Sequence, residues 1–318
     1  MGRLIQMTGP VVDLVYYVRA LPERGQEAEV TGFDMTSGGG FNAMAAARAA
    51  GQSVVLGGSL GTGPMADRVA LDLDALGISL ARARLTDVDQ GCCTVLLEPD
   101  GERTFISYPG AEGHATAEAL SGVSLDGVTQ VLMSGYSLHY THARTALAEW
   151  VAALPRGITF AFDPAPVVAR LDKALLAKVM DRADWVSVNA EEAAVLTGDA
   201  EPERAARALA RGRAGAILRR GRDGELLAQG SDIVTIPGHP VDAIDTNGAG
   251  DCHVGSFLAE LDRHGDALRA VRYANVAAAL STLRRGPATA PDRATVEAIL
   301  NEQQQGAAIA ASPTNMET

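Results

Sequence analysis

The segment 243–257, AIDTNGAGDCHVGSF, sets three small residues between two aspartates and then continues as an apolar run. The small residues are Gly248, Ala249 and Gly250, and Asp251 follows them directly. Glycines let successive backbone N–H groups point into one concavity, and a helix that starts there adds the positive end of its dipole. We therefore expect an anion-binding turn at the N-terminus of a helix.

The carboxylate of Asp251 would stand at the rim of that turn, where it would repel the bound anion. Its chemical use is then to take a proton from a hydroxyl group that is held beside the anion. The alternative is that Thr246, Asn247 and Asp251 are only turn and N-cap residues, because these residue types are common at both places. The segment by itself leaves both interpretations open.

Strand-like and helix-like segments alternate along the chain from Gln52 onward. The predicted strands are 53–60, 128–135, 158–163, 184–189 and 215–220, and the predicted helices are 65–77, 142–154, 172–180 and 201–213. This alternation predicts an α/β fold, with a mainly parallel central sheet and helices on both faces. Ligands of such sheets bind beyond the carboxyl ends of the strands, where the turn at 243–257 would lie.

Two segments break this alternation and look like β-ribbon, namely about 15–36 and 91–108, the second with PDGE at 99–102 as its turn. We interpret them as a small β-rich lid over one α/β domain, residues 1–301. The tail 302–318 shows no period, and we expect it to be disordered.

The composition excludes several classes of partner. A formal net charge of −12 argues against nucleic acid and against an anionic membrane surface. No apolar run is long enough to span a bilayer, and the N-terminus lacks the pattern of a signal peptide. Cys92, Cys93 and Cys252 are odd in number and have no zinc spacing, which fits a reduced compartment. We expect a cytoplasmic protein.

Three further motifs are weaker. Residues 57–61, with Ser59 at the centre, fit the nucleophile elbow of hydrolases, and residues 61–66 fit a dinucleotide fingerprint. With 34 glycines in the chain such matches are expected by chance. Asp and His residues follow the elbow, but nothing marks them as a triad, and the fingerprint lacks a strand-ending acid about 20 residues on. His139 and His142 lack the spacing of a zinc protease and are interpreted as loop residues.

A second glycine cluster, SGGGFNAMAAARAAG at 37–51, predicts a closely packed helix with Asn42 in its first turn. Close packing alone would explain this pattern. Together with DTNGAGD at 245–251, however, it resembles the two signatures of the ribokinase, or PfkB, family of ATP-dependent carbohydrate kinases. NAEE at 189–192, RRGRDG at 219–224 and YANVAAA at 273–279 are similar to the family's nucleotide-site motifs, so the resemblance covers roughly residues 3 to 300.

The resemblance implies a ribokinase-like fold, ATP and Mg²⁺ as cofactors, a site for K⁺, and a homodimer formed through the lid. Asp251 would be the general base, and the amides of Gly248, Ala249 and Gly250 would form the anion hole. The other implied roles are sugar binding by Asp13, Gly38, Gly39 and Asn42; nucleotide binding by Asn189, Arg219, Gly221, Gly224 and Asn275; Mg²⁺ binding through water by Glu192; and a monovalent cation beside Asp245.

The chain departs from the family pattern at several positions. Gly63 stands where the family has an aspartate in G-x-D-x-x-G, and Arg219 stands where it often has threonine. Asn247 and His253 also differ from the common residues. These changes leave the base and the anion hole intact, and they bear mainly on the choice of substrate.

The sequence therefore predicts a kinase that phosphorylates the hydroxymethyl group of a neutral sugar. A nucleoside kinase is the alternative, because Tyr16, Tyr17 and Phe33 could clamp a base. A sugar-phosphate kinase is a further alternative, because the lid carries Arg19, Arg24 and Arg103. A non-catalytic protein that senses a sugar or a nucleotide would keep the fold without the need for Asp251.

Overall fold

The computed structural model describes residues 1–311, with side-chain positions for residues 1–305. The strands in this part of the chain are β1 Arg3–Gln6, β2 Pro10–Val18, β3 Val30–Gly39, β4 Ser53–Leu56, β5 Ser79–Leu80, β6 Cys92–Leu97, β7 Arg103–Tyr108, β8 Val128–Ser134, β9 Thr159–Asp163, β10 Trp185–Asn189, β11 Gly215–Arg219, β12 Glu225–Gln229 and β13 Asp232–Ile236.

The α-helices are α1 Gly40–Ala49, α2 Pro64–Ala75, α3 Ala117–Ser121, α4 Tyr136–His139, α5 Arg144–Ala152, α6 Lys173–Arg182, α7 Ala190–Thr197, α8 Pro202–Ala210, α9 Ala249–His264, α10 Ala267–Ser281 and α11 Arg293–Ala311. Within residues 1–311, none of them combines the length and the hydropathy that a membrane crossing requires.

A nine-stranded sheet forms the centre of the molecule, in the order β13-β12-β11-β10-β9-β8-β1-β4-β5. Neighbours from β11 to β5 are parallel, whereas β12 and β13 add an antiparallel edge. The mainly parallel sheet predicted from the alternating segments is confirmed.

Both faces of this sheet are covered by helices, because successive strand residues point to opposite sides. Leu4 packs into a core with α1, α2, α9 and α10, whereas its neighbour Ile5 packs into a core with α3, α5, α6, α7 and α8. Strands buried on both faces explain the nearly continuous apolar runs in the sequence.

A second sheet of four strands, in the order β3-β2-β6-β7, forms the lid. The strands β2 and β3, which make up the first lid segment, extend from Pro10 to Gly39. This segment is therefore longer than the predicted 15–36. The predicted turn between β6 and β7 is confirmed: the Gly101 amide donates to the Glu98 carbonyl at 3.0 Å. Because β2 is one long strand, Asp13 lies on the lid sheet itself.

The expectation of a disordered tail is wrong for residues 302–311, which continue helix α11 to Ala311. Glutamate, glutamine and alanine dominate this stretch, and all three have high intrinsic helix propensity. A missing apolar period therefore did not prevent a helix. Residues 312–318 of the predicted tail lie outside the described residues.

Candidate active site

The N-terminus of α9 begins within the glycine run, as the sequence predicts. Gly248 precedes the helix with φ 73°, a left-handed conformation that favours glycine, and no side chain caps this end. Helices α6, α7 and α10 are capped by the side chains of Asp172, Asn189 and Asp266. Because the first amides of a helix have no intrahelical acceptor, the uncapped end of α9 fits an anion.

Asp251 lies in the first turn of α9, beside the first turn of α1. Asn42 Nδ2 donates to Asp251 Oδ2 at 3.1 Å across 209 positions of sequence. The other amide atom, Asn42 Oδ1, is buried without a hydrogen-bond partner among the described residues. An orphaned buried acceptor is costly, so this atom fits a hydroxyl group of a ligand placed next to Asp251.

Asp13 lies on β2, and its carboxylate fills the space over Gly38 on the paired strand β3. A Cβ atom added at Gly38 would lie 2.1 Å from Asp13 Oδ2. Gly39, with φ 59°, then turns the chain into α1. The structure thus brings together the four residues for which the resemblance implies sugar binding, and it sets them beside Asp251.

Both carboxylates of this cluster titrate near neutral pH. Burial raises the pKa of Asp251 to about 6, with the charge of Asp163 adding to the rise, while the bond from Asn42 and the charge of Arg219 lower it. Burial also raises the pKa of Asp13 to about 7, and the negative charge of Asp251 adds to that rise. A carboxylate with a pKa near 6 is a better proton acceptor than an ordinary aspartate.

Arg219 lies at the carboxyl end of β11 and packs against the start of α9. Its Nη2 atom donates to Asp163 Oδ2 at 3.0 Å and lies 3.7 Å from Glu192 Oε2. A Cβ atom added at Gly250 would lie 2.2 Å from Arg219 Nη1. The guanidinium is therefore a fixed positive charge beside the uncapped helix end.

Asp163 is a site residue that the sequence analysis missed. It is the last residue of strand β9, as Asn189 is of β10 and Arg219 is of β11. Polar residues at the carboxyl ends of parallel strands line the ligand crevice. The sequence could have indicated this role, because Asp163 is the polar last residue of the predicted strand 158–163.

Asn189 and Glu192 form a capping box at the start of α7. The Glu192 amide donates to Asn189 Oδ1 and the Asn189 amide donates to Glu192 Oε2, both at 2.8 Å. The Asn189 side chain is thus engaged in the cap and holds Glu192, whose carboxylate faces Arg219. The spacing N-x-x-E in the sequence is itself a capping-box pattern.

The remaining predicted nucleotide residues form a second cluster around the segment 237–239. Gly221 and Gly224 have φ values of 59° and 81°, and a Cβ atom at Gly224 would lie 2.0 Å from the Ile236 carbonyl oxygen. Asn275 Oδ1 accepts from the His239 amide and Asn275 Nδ2 donates to the Pro237 carbonyl, each at 3.1 Å. Asn275 therefore positions this segment.

Asp245, at the start of the glycine turn, is bound on both carboxylate oxygens. Its Oδ1 atom accepts from the Asn247 amide at 2.9 Å and from Arg103 of the lid, and its Oδ2 atom accepts from the Gly286 amide at 2.9 Å. A cavity of about 210 Å³ lies between the lid and this turn. The site is thus a cleft closed on one side by the lid.

The weaker motifs have structural explanations. Ser59 is 5% exposed and its hydroxyl donates to the His114 carbonyl and accepts from Arg82, so it is not poised as a nucleophile. The start of α2 is occupied by Asp89, which accepts from the Met65 and Ala66 amides. In residues 1–311 no group of three or more His, Cys, Asp or Glu side chains could hold a metal ion.

Gly63 is a glycine because the carboxylate of Asp89 takes the space beside it. A Cβ atom at Gly63 would lie 2.5 Å from Asp89 Cγ. Asp89 thus places a carboxylate beside Gly63, at the start of α2.

Comparison with known proteins agrees with this geometry. Residues 6–293 match the pfkB family of carbohydrate kinases. An ATP-dependent ribose-1-phosphate kinase of Halopiger xanaduensis is 31% identical over 302 residues, which cover 92% of this chain and 95% of that protein. An uncharacterized sugar kinase of Escherichia coli K12 is 29% identical over 289 residues, 89% of each chain.

Among solved structures, a ribokinase from Thermotoga maritima has a TM-score of 0.82 at 22% sequence identity, and the match covers 95% of this chain and all of that one. This likeness confirms the ribokinase-like fold that the signatures imply.

Proposed function

The chain belongs to the pfkB family of carbohydrate kinases and is a phosphotransferase, and on that premise we propose that it transfers the γ-phosphate of Mg·ATP to a hydroxymethyl group of a neutral sugar. The observation that supports this most is the juxtaposition of Asp251 with the uncapped end of α9. A proton acceptor and an anion receptor then lie within one turn of helix.

In this reaction the acceptor hydroxyl oxygen forms a bond to the γ-phosphorus, and the bond from that phosphorus to the β,γ-bridging oxygen breaks to release ADP. Asp251 takes the hydroxyl proton. Asn42 holds the Asp251 carboxylate through its Nδ2 atom and offers Oδ1 to a sugar hydroxyl. Asp13 accepts from further sugar hydroxyls, which orients the ring.

Charge on the transferring phosphoryl group is stabilised by the amides of Gly248, Gly250 and Asp251. The Ala249 amide, which the sequence also assigns to the anion hole, donates instead to the Thr246 carbonyl at 3.3 Å. Arg219 lies against this same helix end and adds a positive charge. When bound with ATP, Mg²⁺ neutralises phosphate charge. Glu192 and Asp163 are the nearby carboxylates that would hold it, through water, because Mg²⁺ keeps much of its hydration shell.

The charge of the cleft favours a neutral acceptor. The cavity between the lid and the glycine turn is lined by Arg103 and Arg285, but also by Asp34 and Asp245, so its formal charges cancel. A sugar phosphate remains the second candidate, since the Halopiger xanaduensis relative is named a ribose-1-phosphate kinase.

The aromatic residues give little support to a nucleoside acceptor. Tyr16 and Phe33 pair on adjacent strands with ring centroids 4.9 Å apart, whereas Val15 and Tyr17 line the cavity. Because side chains alternate along a strand, the Tyr16–Phe33 pair lies on the opposite face of the lid. Of the three aromatic residues that the sequence suggests as a clamp, Tyr17 is the one that lines the cavity, and Arg285 already covers its ring.

The acceptor class is tested by thermal shift of the purified protein with neutral sugars, sugar phosphates and nucleosides. A ligand that binds the native state raises the melting temperature. We expect a neutral sugar to give the largest shift, and Asn42→Ala to reduce it. If a sugar phosphate or a nucleoside gave the larger shift, that class of compound would be the acceptor, and the proposal of a neutral sugar would be wrong.

Gly38→Ala should weaken acceptor binding, because the new methyl group displaces the Asp13 carboxylate. We expect KM for the sugar to rise on the order of tenfold, the loss of about one hydrogen bond to a charged group, with KM for ATP unchanged. Gly157→Ala, in the loop between α5 and β9, is the control, since its methyl group would have no neighbour within 4 Å. An unchanged sugar KM in Gly38→Ala would argue against Asp13 as a sugar ligand.

The pH dependence follows from the raised pKa values of Asp13 and Asp251. Both residues act as carboxylates, so kcat/KM for the sugar should rise with pH through the range of about 6 to 7 and then level off. The two groups interact, so these steps belong to the pair. In Asp13→Asn the remaining step should move to lower pH, because a neighbouring negative charge is removed. A flat profile across this range would contradict the assignment.

We also propose that two copies pair through the lid. Phe33 is 51% exposed, Ile106 is 62% exposed and Tyr108 is 75% exposed on its strands. The strand register places all three on one face of the lid sheet. Large apolar side chains exposed on one face are typical of interfaces, and a second lid would cover them.

A further inference from the structure

Both oxygens of the Asp245 carboxylate are bound by groups of this chain. Arg103, from the lid, and the Asn247 amide both donate to Oδ1, and the Gly286 amide donates to Oδ2. The two amide bonds are each 2.9 Å long. The Asp245 side chain is 11% exposed and that of Arg103 is 23% exposed, so little water screens the pair.

This arrangement does not fit the monovalent cation that the family resemblance implies beside Asp245. A cation needs free oxygen ligands and a site of negative potential. Here one oxygen of the carboxylate already pairs with a guanidinium, and Arg285 lines the same cavity. A potassium ion placed there would meet the Arg103 guanidinium, and the positive charge of Arg285 lines the same cavity.

We propose that Arg103 takes the place of a monovalent cation at Asp245, so that the enzyme works independently of K⁺. The guanidinium supplies the positive charge that balances Asp245. With that balance, Asp245 holds the turn at 245–248 from which α9 begins, since the Asn247 amide is bound to the same carboxylate oxygen.

The same contact links the lid to the anion-binding turn. Arg103 is the first residue of β7, next to the turn that joins the two lid strands β6 and β7. Within the described chain, it is the one lid residue whose side chain hydrogen-bonds to segment 243–251. A bound ion would balance the charge of Asp245 but would not connect the lid to the turn. Arg103 balances that charge and also connects the lid to the turn.

The test compares melting temperature and ADP formation in equal concentrations of potassium, sodium and tetramethylammonium chloride. For the unmodified protein we expect the same values in all three salts. Arg103→Gln should lower the melting temperature and reduce kcat/KM for ATP on the order of tenfold in tetramethylammonium chloride. Potassium chloride should restore part of both losses, because the vacated carboxylate becomes a cation site.

Arg103→Lys keeps the charge and should remain insensitive to the choice of salt. Arg19→Gln is the control for loss of a lid arginine, since Arg19 pairs with exposed Glu29 at 2.7 Å, away from the turn. A selective gain of the unmodified protein in potassium chloride would overturn the proposal, as would an Arg103→Gln protein that matches it in every salt. The melting readout needs no acceptor, so it stands apart from the proposed function.

Discussion

Asp251→Asn should lower kcat about 10²- to 10⁴-fold, the contribution of a positioned general base, while the affinity for ATP stays nearly unchanged. Asparagine keeps the shape of the side chain and can still accept from Asn42 Nδ2, so the local packing is preserved. The fold should also be kept, because the raised pKa of Asp251 means that burying its charge costs folding free energy, and a neutral amide avoids that cost. Steady-state kinetics with a saturating sugar measures the effect.

The control for this substitution is Asp172→Asn, which changes an N-cap aspartate of α6 that is distant from the site. Asparagine caps a helix as well as aspartate does, so stability and kcat should both be unchanged. If Asp251→Asn kept a kcat within tenfold of the unmodified enzyme, the proton would have another acceptor and the assignment would be wrong.

Gly248→Ala should lower kcat about 10²-fold or more by disturbing the amides that face the phosphoryl group, the range found when one donor to a developing oxyanion is lost. Gly248 has φ 73°, and a Cβ atom there would lie 3.3 Å from Asn42 Nδ2. Alanine in this conformation costs about 1–2 kcal/mol and pushes the turn against Asn42.

Gly265→Ala is the matched control for this effect. Gly265 ends the same helix with φ 66°, and a Cβ atom there would have no neighbour within 4 Å. Both variants should lose similar stability in chemical denaturation, since both place alanine in a left-handed conformation. A loss of kcat in both would mean that general destabilisation explains the result, and that the amides of the turn have no special part.

Local patterns predicted much of the fold. The strands 158–163, 184–189 and 215–220 were found within one or two residues because each is a short apolar run bounded by turns or charges. The start of α9 was predicted from glycine chemistry alone. Helix α11 was missed because it has good helix formers without an apolar period.

The parts of the site that could not be predicted are contacts between distant segments. Asp163, Glu192 and Arg219 meet only because three neighbouring parallel strands end at one edge of the sheet. Arg103 and Asp245 are 142 positions apart. The sequence showed Arg103 as one of three lid arginines, and nothing in the spacing distinguished it from Arg19.

The lid shows the same limit in a different form. Tyr16, Tyr17 and Phe33 looked alike as candidates for a base clamp, but the alternation of the strand sends Tyr16 and Phe33 away from the cavity. Which face of a two-sided ribbon meets the ligand depends on how the ribbon packs on the rest of the protein. The sequence pattern of the strands does not predict that packing.

The most direct measurement is the stoichiometry of phosphoryl transfer by the purified enzyme, with Mg·ATP and one sugar at a time. The account predicts that ADP forms only when the acceptor sugar is present, mole for mole with a sugar phosphorylated on its hydroxymethyl oxygen, and that Asp251→Asn slows both together. ADP release that proceeds equally without any acceptor, or a phosphorylated product that Asp251→Asn forms at the normal rate, would contradict it.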